Sequence, residues 1–442
     1  MNCLYRKICL FFIFASFAVF LSISLVGCSA QKDTASLKSI KIWHWMSDRE
    51  DTFLELADRY EKEKGIAVNF ELYAPSGSYT RKIRAAAQTN TLPDIFGILG
   101  KKRDFASFVK AGHVYDLTPF MKEDNEAWKD KLFQKALAVN EFKIGNAFGV
   151  APGIYGVPLD VMNIQMLYNK DLLKSAGWAS SEPPRTWDEF LQAARLLKDK
   201  GIQGLASGWG ETWMIDCFAS NYAFNIMGEK KVLDTIRGKI PYTDPDWIEV
   251  FDLFRQMRDE DLLANGVVTM VNKTAEQLFA NNRAAFAFNG SWCVNVYKGM
   301  NPDLNYGAML PPRATDRNSI MIWGGAGSSF MVNARSKKMQ QAVEFLRWLT
   351  AAKQQAYLFQ ATNNLPANRE CAISMSKINQ EFASGMDYAT HPSAWDTSEF
   401  LIVIETCAKG IQSIILGEKT PKEVGIETQA VKERELLRQQ NT

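Results

Sequence analysis

Polar and apolar positions alternate with period two in Ile40-Lys41-Ile42-Trp43, and the chain then turns polar at Ser47-Asp48-Arg49-Glu50. The first pattern predicts a strand. The second predicts a helix start, with Ser47 as N-cap and Glu50 as its capping-box partner. From Asp48 to Lys64, the residues Phe53, Leu56, Ala57 and Tyr60 fall on one helical face, and Gly65 ends the pattern. "AVNFELY" (67–73) predicts the next strand, Tyr79 to Thr89 a short helix, and "PDIFGIL" (93–99) a buried strand. Further on, Thr186-Trp187-Asp188-Glu189 is a capping box opening a helix to Lys200. Asp244-Pro245 opens another that buries Trp247, Val250, Phe251 and Phe254. Met339, Ala342, Val343, Leu346 and Leu349 line one face of a later helix. Strand and helix patterns alternate without an internal repeat, which predicts an α/β protein with mostly parallel sheets.

The N-terminus departs from this pattern. Arg6 and Lys7 precede an apolar run from Ile8 to Val26. At about 19 residues it is long enough to span a bilayer. It ends, however, in Leu25-Val26-Gly27-Cys28, which resembles the lipobox of bacterial lipoproteins. That likeness implies a signal peptide over 1–27, lipid attachment at Cys28, a tether over 28–37, and residence on the outer face of a bacterial membrane.

Without the signal, two of the 51 basic residues are lost and the remainder match the 49 acidic ones, which argues against a nucleic-acid partner. Of seven cysteines, Cys217, Cys293, Cys371 and Cys407 remain beyond the anchor, in apolar contexts that suit disulfides or buried thiols equally. The three histidines are unpaired at helical spacing, and HExxH, GxSxG and Walker patterns are missing, so no metal, cofactor or catalytic residue is expected. The 12 tryptophans matter more. Indole faces stack on the C–H faces of sugar rings.

Several unusual stretches punctuate the chain: "YGVPLDVMNIQMLYNKDLLKSAG" with "PPRTWDEF", "LFANNRAAFAFNGSW", "GGAGSSFMVNARSKKMQQAVEFLRWLT" and "IQSIILGEKTPKEV". In this order and spacing they resemble the family 1 extracellular solute-binding proteins, the carbohydrate receptors of ATP-driven (ABC) importers. The resemblance runs from about residue 38 to 435. It implies two discontinuous α/β lobes joined by hinge strands, a periplasmic binding protein type 2-like fold, closing over a ligand. By that analogy the N-lobe comprises 38–158 and 312–364, the C-lobe 159–311 and 365–442. The crossings fall near Val157–Met162, Met309–Arg313 and Leu365–Arg369. The partners implied are a carbohydrate, the importer's permease subunits and the membrane, with the receptor a monomer.

A sugar site needs aromatic faces and planar polar groups that each grip two hydroxyls. Trp292 in "NGSW" falls on the family's stacking position. Trp323 precedes Gly324, where the backbone can approach a ligand. Trp209, Glu211 and Trp213 share a glycine-bounded loop. Asp160 lies at the first crossing, Arg369 after the third, and Trp395 in the C-lobe. Asp94, at a strand start, is a pocket residue or a lobe cap. Trp43 and His44 end the first strand, but alternation puts Trp43 and Trp45 on one face and His44 on the other, so all three cannot face a ligand. The competing reading is a lipid-anchored lectin or a glycoside-active enzyme. The enzyme needs two carboxylates about 5–9 Å apart.

Overall fold

The computed structural model describes residues 39–371, 373–395 and 397–440. The signal-like segment, the tether and Cys28 lie outside the described residues. The first lobe is built on a five-stranded sheet ordered Ala67–Leu72, Ser39–His44, Ile95–Phe96, Ser329–Val332 and Val157–Pro158. Its first three strands are parallel, as the βα alternation predicts. Helix Glu50–Lys64 covers one face with Phe53, Leu56, Ala57 and Tyr60, and Gly65 caps it in the left-handed region at φ 68°. The expected capping box at Ser47 is not formed. Ser47–Arg49 is a 3-10 turn, and Arg49 is the N-cap without a side-chain bond.

The second lobe carries the order Ala389–Thr390, Ile322–Ala326, Val161–Asn169, Phe286–Gly290 and Leu205–Ala206, with Tyr306–Met309 also paired to Val161–Asn169. Here the expectation of mostly parallel pairing fails: the long strand Val161–Asn169 is antiparallel to all three of its neighbours. The capping box at Thr186 does form, with Glu189 N–H donating to Thr186 Oγ1 and Thr186 N–H to Glu189 Oε2. Helix Pro245–Asp259 buries Trp247, Val250, Phe251 and Phe254, capped by Asp244. All four cysteines among the described residues are free thiols.

Three chain segments pass between the sheets side by side. Leu159 N–H donates to Ser328 O, Gly327 N–H to Asp160 O and Val161 N–H to Leu365 O, at 2.9–3.0 Å. The middle passage is thus at 327–328, not near Met309–Arg313. Ile322–Ala326 pairs within the second sheet and Ser329–Val332 within the first, so residues 312–326 belong with the second lobe. Pattern could not show this, because two adjacent apolar strands read alike whichever sheet they join.

A buried polar knot ties the passages together. Arg49 Nη1 lies 3.4 Å from Asp160 Oδ2, and Arg49 Nη2 donates to Asn364 Oδ1 at 2.9 Å. Ser328 donates both its backbone N–H and its hydroxyl to Asp160 Oδ1. Arg49 and Asp160 are 5% and 3% exposed, so each charge depends on the other and on these bonds.

Candidate functional site between the lobes

Six of the residues expected to touch a ligand are placed elsewhere. His44 is fully buried, edge-on to Phe53 and Phe70 at 5.2 and 5.6 Å. Burial, then the nearby Arg49 charge, pushes its imidazole down to about 4, while its Nε2 faces Glu50 Oε2 at 2.8 Å, so it is a core residue. Trp43 is buried on the other side of the sheet against Tyr73 and beneath the Lys82 ammonium. Asp94 is a lobe cap: it accepts from Lys41 N–H at 2.9 Å and Ser336 Oγ at 2.5 Å. Asp160 is committed to the knot at the crossings. Trp209 is fully buried between Phe218 and Phe254, because helices Thr212–Ile236 and Pro245–Asp259 close over its loop. Arg369 is exposed on the first lobe, where its N–H donates to Lys131 O. Beyond the third passage the chain leans back on that lobe: Ala367 N–H donates to Gln355 Oε1 and Asn368 Nδ2 to Thr350 O.

The others converge. Trp213 and Trp292 are half-buried, their rings tilted against each other at 6.2 Å. Trp292 folds back over Gly290, where a Cβ would come within 1.9 Å of its ring. Glu211 does not face outward alone: it accepts the indole N–H of Trp213 at 2.9 Å. Trp323 and Trp395 line one cavity together with Lys101, Asp216, Ser220 and Ser398. Gly324 is a sheet residue, paired with Asn163.

Three residues escaped the sequence reading. Lys101, from the first lobe, reaches across to Asp216 of the second at 2.6 Å, and its ammonium stands 4.3 Å over the Trp323 ring. Asp216 lies one helical turn after Trp213, which joins the cavity to the indole pair. Asn295 Nδ2 donates across the gap to Asp48 O at 3.3 Å. Trp45 follows the first strand and remains half-buried, its ring lying where a Cβ on Gly97 would sit. The contact between Asn295 and Asp48 is a further bond between the lobes. The junction therefore offers aromatic faces beside a cation, a carboxylate and an amide, the set that polyhydroxylated solutes require.

Residues 46–356 match the family model described as bacterial extracellular solute-binding protein. The chain belongs to that family. Among relatives, the Melibiose/raffinose/stachyose-binding protein MelE of Bacillus subtilis is 26% identical over 365 residues, covering 79% of this chain and 80% of its own. The Multiple sugar-binding protein of Streptococcus mutans is 24% identical over 345 residues, covering 75% and 76%. A solved chitin oligosaccharide binding protein superposes with a TM-score of 0.76 at 23% identity, covering 89% of this chain and 98% of its own, a likeness of fold. The chain is thus by family an extracellular solute-binding protein, and it is built from two lobes.

Proposed function

We propose that this solute-binding protein captures a carbohydrate, an oligosaccharide or glycoside, between its lobes and presents it to the permease of an ABC importer. It works as a monomer tethered to the outer membrane face through lipid on Cys28. The observation that carries this reading is the half-buried indole pair Trp213–Trp292 beside the interlobe Lys101–Asp216 bridge. The indoles supply faces for pyranose rings, and the charged groups exchange their mutual bond for bonds to hydroxyls. Because the groups come from both lobes, a sugar that engages them favours closure by its differential affinity.

What weighs against a glycosidase is that the candidate carboxylates are already engaged. Both oxygens of Glu211 accept hydrogen bonds within the lobe, and Asp160 is sealed against Arg49. The test is a thermal-shift screen with raffinose, stachyose, maltotriose, xylotriose and chitotriose, followed by calorimetry and recovery of the sugar. Saturable binding with intact sugar returned is expected, and turnover overturns the receptor reading. Trp292→Ala should weaken binding by more than about 1 kcal/mol while leaving the unfolding temperature of the free protein unchanged. If the substitution unfolds the protein and spares affinity, Trp292 is a core residue.

A further inference from the structure

One of the two indoles, Trp213, is held from behind. Trp213 Nε1 donates to Glu211 Oε2 at 2.9 Å. The second oxygen of Glu211 accepts from the backbone N–H of Asn272 at 2.9 Å, at the start of helix Asn272–Ala280. Asn272 Nδ2 donates in turn to Glu276 Oε1 at 3.0 Å, and Asn289 Nδ2 reaches the same oxygen at 3.2 Å. Glu276 is 5% exposed. One chain of bonds, Trp213–Glu211–Asn272–Glu276, therefore runs behind the Trp213 ring. Core packing alone does not require it. A buried carboxylate costs several kcal/mol unless it is well bonded, and phenylalanine fills such space without that cost.

We propose that Glu211 is a positioning residue that turns the indole N–H edge of Trp213 inward, so that this ring presents only its faces to the bound carbohydrate. This rests on the carbohydrate reading given above and deepens it. An indole whose single donor is occupied cannot bond a hydroxyl. Trp213 then recognises the C–H face of a pyranose, and reading of hydroxyls passes to Asp216, Lys101 and Asn295. Fixing the side chain in advance also lowers the entropy lost on binding.

The test uses the mature chain carrying 15N-labelled indole, with the Trp213 N–H signal assigned through Trp213→Phe. In the wild type that signal should exchange slowly with deuterated water. Glu211→Ala should speed its exchange at least tenfold and leave the signal of the buried Trp209 in place. Glu211→Gln keeps an acceptor for the indole and should fall between. Titrations with raffinose, stachyose and maltotriose should show affinity falling at least fivefold in Glu211→Ala. Unchanged exchange in Glu211→Ala, or a released indole with wild-type affinity, overturns the proposal. Failure of the wild type to bind any of the three sugars counts against the carbohydrate reading, and the exchange rates still decide whether Glu211 holds the indole.

Discussion

Asp160→Asn separates a pivot from a pocket residue. In the structure this carboxylate faces Arg49 at 3.4 Å and accepts the backbone N–H of Ser328 at 2.8 Å, almost wholly out of water. Asparagine keeps the shape and one acceptor but removes the charge opposite a buried guanidinium. Breaking such a pair costs about 3–5 kcal/mol. Asp48 remains as a second counter-charge, 3.2 Å from Arg49 Nε, which favours the lower figure, about 3 kcal/mol. With a urea slope of about 3 kcal/mol/M, the unfolding midpoint should drop by about 1 M. The assay is urea unfolding followed by circular dichroism, beside calorimetric titration with whichever panel sugar binds. Arg49→Met combined with Asp160→Leu should recover much of the loss, since replacing both members by apolar groups removes the stranded charge. A wild-type midpoint with weakened sugar binding would refute the reasoning and return Asp160 to the ligand.

Three further outcomes are expected. For His44, the folded imidazole sits near 4 against an ordinary 6.5, so its stabilising contribution is complete above pH 6.5 and is lost as pH falls through 4, about 3 kcal/mol in all. His44→Phe should flatten the urea midpoint between pH 7 and pH 4 and spare sugar affinity; an unaltered pH slope speaks against a neutral core histidine. Trp209→Ala should destabilise by about 3–5 kcal/mol through the cavity it leaves, measured as the unfolding midpoint. Cys28→Ser should release the protein from the membrane fraction, and retention would mean that residues 8–26 span the bilayer.

Local order was legible in the sequence because local forces set it. The helix at 50–64, the box at Thr186 and the cap at Asp244 each depend on residues within one or two turns. What escaped was decided by distant chain. Alternation correctly separates Trp43 from His44, but both faces of that sheet are covered, one by Phe53 and the other by Tyr79. A two-sided sheet buries both sets, and of these three aromatics only Trp45, past the strand's end, stays half-buried. Trp209 misled for the same reason. Its glycine-rich loop reads as exposed until helices from later in the chain close over it. Lys101 and Asp216 look like ordinary surface charges, and only the fold brings together residues 115 positions apart. Trp292 stands out in the sequence by a family motif and Trp213 by a glycine-bounded loop, whereas Lys101 and Asp216 carry neither signal.

The middle passage has a spatial consequence. Trp323 stands in the junction and Ser328 in the knot at the crossings, on one run of chain no longer than about 17 Å. Any solute taken up at that cavity therefore lies within five peptide units of the buried Arg49–Asp160 pair that ties the passages together.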